Sequence, residues 1–371
     1  MAAQLKDFYN AAVVGGIADR VAAAHPAFRR KAFIAEVLAA LPPLELMDRA
    51  RAIATALHRH LPQDYPAALD ILLASLGPDD AKGGIDGMNG FRHLPFLNFV
   101  GRHGLEHPER SLAALRVMTC HFSAEFDIRP YLLQHYDLTM EMVRGWVTDE
   151  HWAVRRLCSE GLRPRLPWGL RLKRFIDDPA PVLAVIEHLR ADPHDNVRRS
   201  VANNLNDISR DNPDIAIATV SRWLREDRTG TADTVRHGLR TLVKKGDTRA
   251  LKLLGFDHAA PVTASGFAIG KKRYRVGDVL SFALTIRNDG SKAATLSVDY
   301  AIHWRNARGG NTPKVFKLAK PKLKPGESIT LEKRHALKPI STRRYYAGAH
   351  RVEVLVNGKS VAEGGFELRL E

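Results

Sequence analysis

The sequence predicts two folded parts, an all-helical repeat array and, after it, a small all-β sandwich. Three observations predict this. Apolar residues recur three and four apart from Leu5 to about Leu254, related segments return at spacings near 40 residues within that stretch, and the pattern becomes alternating after Asp257. The expected domains are residues 1–257 and 258–371.

The helical elements follow in order. AFIAEVLAAL from Ala32, LMDRARAIATALHRHL from Leu46 and YPAALDILLASLG from Tyr65 each carry an apolar stripe, with breakers at Pro42-Pro43, Gly77-Pro78 and Gly83 to Gly90. DEHWAVRRLCSEGL from Asp149 and DPHDNVRRSVANNL from Asp192 share an acidic start and a Val-Arg-Arg core. They are offset by 43 residues, and a Val-Arg-His follows 38 further on at Val235. HFSAEFDIRPYL from His121 resembles LCSEGLRPRL from Leu157, with 35 residues between Glu125 and Glu160. Two helices per unit at such spacings make a HEAT-like repeat solenoid, whose second helices line a concave surface. In the C-terminal part, segments from Val279, Thr295, Ser328, His350 and Phe366 read as strands. Asn288-Asp289-Gly290, Lys324-Pro325-Gly326 and Asn357-Gly358 mark turns between them. Several short strands in about 110 residues fit an immunoglobulin-like sandwich without a disulfide.

Composition narrows the function classes. In 371 residues, 45% are hydrophobic and 26% charged, which excludes a disordered polycation. Two cysteines, Cys120 and Cys158, exclude a disulfide scaffold and fit a reducing compartment. The N-terminal segment does not read as a secretion signal, and no run approaches the roughly 18 apolar residues of a membrane span. The expectation is a cytoplasmic monomer with no membrane partner. The net charge of +15 divides as −3 for residues 1–150, +6 for 151–260 and +12 for 261–371. That polarity fits a polyanion partner, nucleic acid first, although a solubilising surface has the same signature. No P-loop, dinucleotide fingerprint, HExxH or zinc spacing occurs, so neither cofactor nor metal is expected.

Acids in the basic middle segment are the informative residues. Glu125 and Glu160 occupy related repeat positions, the next repeat has Asn203 there, and Asp207 lies one helical turn beyond Asn203 on the same face. They stand among Arg155, Arg156, Arg163, Arg165, Arg198 and Arg199. Carboxylates repel a phosphate backbone, so acids in such a groove suggest a positive charge that needs stabilising; pairing with helix-face arginines is the alternative. Trp152 and Trp168 are near in sequence to Glu160. Each ring either covers a sugar or base or fills space between repeats.

Val-Arg-Arg helices, SAEFDIRPYL, LCSEGLRPRLPWG, DNVRRSVANNLNDISRDNPD and a sandwich with LKPGESITLEKRH together resemble the AlkC branch of the AlkC/AlkD superfamily of HEAT-like-repeat DNA glycosylases, in the form with a C-terminal immunoglobulin-like domain. The resemblance implies a monofunctional glycosylase that hydrolyses the N-glycosidic bond of cationic alkylated bases, chiefly 3-methyladenine and 3-methylcytosine. Its substrate would be duplex DNA, its pathway base excision repair, and the damaged base would not be flipped into a pocket. On this chain it implies Glu160 and Asp207 as catalytic acids, Glu125 close by and Trp168 against the lesion nucleotide. The repeat arginines would hold phosphates, with Trp152 in the DNA-binding groove. Arg305, Arg308, Arg343 and Arg344 of the sandwich loops are the candidates for reaching the duplex from the other side, ordinary solvated loop charges being the alternative. Two other functions remain open from the residues alone: a non-catalytic DNA-binding solenoid, and a protein scaffold.

Overall fold

The computed structural model describes residues 4–77, 88–226, 229–340 and 343–370, and the chain divides into two compact units. The breaker stretch from Pro78 to Gly87 lies outside the described residues. The first unit comprises Met1–Asn212 and Glu226–Gly238, and the second Pro213–Arg225 and Leu239–Glu371.

The first unit is helical. Its elements are α1 (Ala11–Ala24), α2 (Arg30–Ala40), α3 (Leu46–His60), α4 (Tyr65–Ala74), α5 (Leu94–His103), α6 (Pro108–Met118), α7 (Arg129–Gln134), α8 (Tyr136–Trp146), α9 (Trp152–Glu160), α10 (Lys173–Asp177), α11 (Ala180–Leu189) and α12 (Asp195–Asp211). After α13 (Pro213–Glu226), most of which belongs to the second unit, α14 (Thr231–Gly238) completes the first. Starts are set by side-chain caps: Asn10 accepts from Ala12 N and Val13 N, and Asp64 from Ala67 N ahead of Pro66. Helix α5 buries every residue from Leu94 to Gly101, which places it at the centre of the N-terminal core.

The repeated segments form α9, α12 and α14, which pack side by side in that order. Their common turn has a common construction. His151 and His194 cap α9 and α12, each ring Nδ1 accepting from a backbone N–H, while Asp149 and Asp192 accept from the histidines' own N–H groups at 2.9 and 2.8 Å. The first arginine of each Val-Arg-Arg closes the turn: Arg155 donates to the carbonyls of Asp149 and Glu150, and Arg198 to those of Asp192 and Pro193. Arg155 also forks onto the Asp192 carboxylate at 2.6 and 3.0 Å, tying one repeat to the next. Among the described residues no helix is long and apolar enough to cross a membrane.

In the second unit α15 (Arg240–Lys244) and α16 (Thr248–Leu253) precede ten strands: β1 (Val262–Ile269), β2 (Arg273–Arg275), β3 (Val279–Asn288), β4 (Ala294–Thr295), β5 (Val298–Arg305), β6 (Asn311–Ala319), β7 (Lys322–Leu323), β8 (Ser328–Ala336), β9 (Gly348–Val356) and β10 (Lys359–Arg369). One sheet has the order β1-β3-β8 and the other β2-β10-β9-β5-β6, with β4-β7 as a small ribbon. All pairings are antiparallel except β2 with β10. Inward residues alternate as expected: Leu280, Phe282, Leu284 and Ile286 of β3 share a core with Tyr300, Ile302, Trp304, Val352, Val354 and Phe366 of the facing sheet. The expected strands are present, the one from Thr295 divided into β4 and β5 at Leu296 and Ser297. Two longer ones were not legible: β1, whose Thr263–Gly266 stretch interrupts any apolar alternation, and β6, an edge strand whose Pro313 reads as a breaker.

The link between helices and strands is fastened to the β9–β10 turn. Asn357 Nδ2 donates to Asp257 O at 2.6 Å, its Oδ1 accepts from Ser297 N at 2.7 Å, and His258 bonds its carbonyl at 2.8 Å. The turn's left-handed pair, Asn357 and Gly358, lies directly on Gly246; a Cβ on Gly358 would stand 2.7 Å from the Gly246 Cα.

Candidate active site

Helix α9 ends at Glu160, a loop runs from Gly161 to Leu172, and α12 presents Ser200 and Asp207. Glu160 and Asp207 are buried, at 4% and 2% exposure, and Arg163 lies between them. Its Nη1 donates to Glu160 Oε1 at 2.6 Å and its Nε to Asp207 Oδ2 at 2.9 Å. Ser200 Oγ donates to the other Glu160 oxygen at 2.6 Å. On the far side of Glu160, Arg156 Nη2 is 4.0 Å from Oε1, while Arg156 Nη1 donates to Glu125 Oε2 at 3.0 Å and to Ser123 Oγ at 2.8 Å. The three acids are thus brought together, alternating with arginines in the order Glu125, Arg156, Glu160, Arg163, Asp207. Both readings of the acids apply at once: they converge, and they are ion-paired.

Glu125 differs from the repeat expectation in one respect. It lies on a turn between α6 and α7, not on a helix, because α6 closes at Thr119, whose Oγ1 accepts from Ala124 N at 3.3 Å. Ser123 then holds its carboxylate at 2.7 Å.

Ionisation separates the acids. Burial works against the charged form of Glu160, but Arg156, Arg163 and the bond from Ser200 outweigh it, and its carboxyl is held below the ordinary glutamate range. For Asp207 burial prevails over Arg163 and raises the carboxyl above the usual aspartate range. Glu125 is raised too, by burial first, with Glu160 adding repulsion against the pull of Arg156. Asp207 has a single hydrogen bond among the described residues, so Oδ1 takes no partner there. A positive charge arriving beside these acids relieves the cost of ionising Asp207 and Glu125.

The remaining expected residues take distinct places. Trp168 is 76% exposed at the tip of the Gly161–Leu172 loop, with φ +63°, so it is not space-filling core. Trp152 stacks on the His194 ring at 4.1 Å, nearly parallel, bridging two repeat turns. Arg155 and Arg198 make the turn clips described above, and Arg165 forks onto Asp211 at 2.6 and 2.7 Å. Arg199, the second arginine of its repeat and so the counterpart of Arg156, is exposed. In the sandwich Arg305 and Arg308 are exposed, Arg343 lies 4.7 Å over the Trp304 ring and Arg344 5.7 Å from the Tyr346 ring centre. Sequence reasoning missed Ser200, which has no repeat counterpart, and Arg129, whose bonds are to carbonyls; neither carries a positional signal.

A helical unit in which related helices pack side by side and hold a buried ladder of acids and arginines, followed by an immunoglobulin-like sandwich, defines the class: helical proteins with a C-terminal immunoglobulin-like domain. Residues 263–370 match the family model described as "Uncharacterised protein YhaZ, C-terminal Ig-like domain". The whole chain is similar to the uncharacterised protein YhaZ of Bacillus subtilis (strain 168), at 34% identity over 96% of this chain and 97% of that one. It is similar in structure to the Pseudomonas fluorescens alkylpurine DNA glycosylase AlkC bound to DNA containing an abasic site analog, with a TM-score of 0.92 and 35% identity over 99% of this chain and all of the other. The chain belongs to the AlkC branch of the AlkC/AlkD superfamily, in the form that carries the immunoglobulin-like domain.

Proposed function

We propose that this protein is a monofunctional DNA glycosylase that releases cationic alkylated bases, 3-methyladenine and 3-methylcytosine, from duplex DNA without flipping them, acting as a cytoplasmic monomer. The observation that carries the reading is the pair of buried carboxylates, Glu160 and Asp207, fixed by one arginine in a basic repeat surface next to a loop with an exposed tryptophan. A buried acid pair is costly to fold and contributes little stability over an apolar substitute. Its retention fits a use for negative charge.

The chemistry asks for such charge. A base methylated at N3 already carries a positive charge, so it departs neutral without a proton donor. What builds up is an oxocarbenium-like deoxyribose, which ionised Glu160 and Asp207 stabilise from fixed positions, and Asp207 Oδ1 is free to orient the attacking water. Glu125 adds a weaker field through Arg156, and the Trp168 face covers the lesion nucleotide. The cations paired with the acids among the described residues are arginines, Arg156 and Arg163, which suits hydrolysis better than Schiff-base chemistry. Arg156 and Arg199 and the sandwich arginines Arg305, Arg308, Arg343 and Arg344 supply phosphate contacts; Arg155, Arg198 and Trp152 shape the turns that present them.

Base release from methylated duplex DNA tests this. The wild type should liberate 3-methyladenine, and Glu160→Gln and Asp207→Asn should do so far more slowly. A non-catalytic DNA-binding module would instead bind DNA more tightly once its acids were neutralised and release nothing in any form.

A further inference from the structure

We infer that Arg129 is a positioning residue, a buried clamp that sets the loop carrying Trp168 in its DNA-ready form before DNA arrives. The inference rests on the proposed role of Trp168. Arg129 opens α7 and is fully buried, at 0% exposure. Its Nη1 donates to Gly161 O at 2.9 Å and Arg163 O at 3.0 Å, and its Nε to Leu170 O at 2.7 Å, joined there by Nη2. One guanidinium therefore holds both feet of the loop. Among the described residues no carboxylate accepts a hydrogen bond from it; burial draws its pKa down to about 10, while Glu125, Asp207 and Glu160 support its charge through space.

The loop needs such a fastening. Trp168 is in the left-handed region, a backbone state that bulky residues leave unless the surroundings over-determine it. Its ring supplies no anchor, since both Trp168 and its neighbour Leu170, 57% exposed, face solvent. Inside the loop, Gly169 N donates to Leu166 O at 3.1 Å and Leu172 N to Pro164 O at 3.2 Å, and Pro164 and Pro167 stiffen the path. These bonds define the loop's shape, and Arg129 defines its place relative to the acids, because it grips the carbonyls of Gly161, next to Glu160, and of Arg163 at the same time. Ordering the tip in advance removes an entropic cost from the bound complex and holds the ring at a fixed distance from the acids.

The test uses the full chain labelled with 5-fluorotryptophan, the Trp168 line being assigned through Trp168→Phe, together with base-release kinetics. In DNA-free Arg129→Met the Trp168 line should shift and change width while the lines of other tryptophans hold. Turnover at saturating methylated DNA should fall at least tenfold, and Arg129→Lys should recover part of both. In a Trp168→Ala background Arg129→Lys should cost no further turnover, because the two act as one unit. If Arg129→Met does not fold, Arg129→Lys carries the same comparisons. An unchanged Trp168 line in the folded variants, or losses that multiply in the double variant, would overturn the clamp. A wild type that releases no base would sink the glycosylase reading alone, because the fluorine line tests the clamp without DNA.

Discussion

The opposite ionisation of the two central acids makes a sharp prediction about neutralising each. Glu160→Gln removes the charge that Arg163 and Arg156 face and weakens the bonds from Arg163 and Ser200. Leaving buried guanidiniums short of a counter-charge costs about 3–5 kcal/mol in such sites, and because Arg163 keeps Asp207 the expected loss is about 3 kcal/mol. The Glu160 carboxyl lies low in the folded protein, so its contribution is present above its unfolded pKa and disappears as pH falls through the folded one. Asp207 runs the other way. Its carboxyl is raised, so its ionisation opposes folding: that stability is present below the unfolded pKa and lost as pH rises through the folded value. Asp207→Asn at neutral pH removes this penalty while weakening one bond to Arg163, and because the two effects oppose each other its net cost should be smaller than that of Glu160→Gln. Urea unfolding of the helical unit, followed by circular dichroism at neutral and mildly acidic pH, reads both. The reasoning fails if Asp207→Asn is as destabilising as Glu160→Gln at neutral pH.

Three further expectations come from particular contacts. Single-turnover base release should fall on acidification through a pKa above the ordinary aspartate range, since Asp207 must be ionised and burial raises it; an acid limb at or below that range would contradict the assignment. Gly358→Ala should destabilise the second unit by about 1–3 kcal/mol, because φ is +78° and the new Cβ meets Gly246, a loss measurable as a lower melting temperature. Arg199→Ala should lower the salt slope of DNA binding by about 1, whereas Arg155→Gln should lower stability and leave the slope nearly unchanged, because Arg199 is exposed while the Arg155 guanidinium is held in a turn clip.

The helical repeats and the sandwich were legible because their signals are periodic: Val-Arg-Arg at 43 residues, and alternating runs such as that of β3. The acids were legible through the same repeat arithmetic, which groups Glu125, Glu160 and Asp207 from their positions in the chain alone. What stayed hidden depends on geometry that no period encodes. Arg155 and Arg156 are adjacent and identical in type, yet one folds back onto carbonyls of its own turn and the other reaches the acid of the preceding repeat. Arg129 was invisible because its partners are carbonyls, which every residue supplies. The exposed, left-handed Trp168 follows from a loop closed by Leu172 N on Pro164 O and Gly169 N on Leu166 O, contacts that no residue type announces, so the sequence left its ring open between covering a nucleotide and filling space.

Single-turnover release of 3-methyladenine from methylated duplex DNA, compared with release of a neutral lesion, tests the central claim most directly. The wild type should free the cationic base rapidly and the neutral one poorly, and Glu160→Gln should slow the former by roughly 10²–10³-fold, the scale for losing one preorganised electrostatic partner of a transition state. Equal release by wild type and folded Glu160→Gln would contradict the account, as would a wild type indifferent to the charge of the departing base.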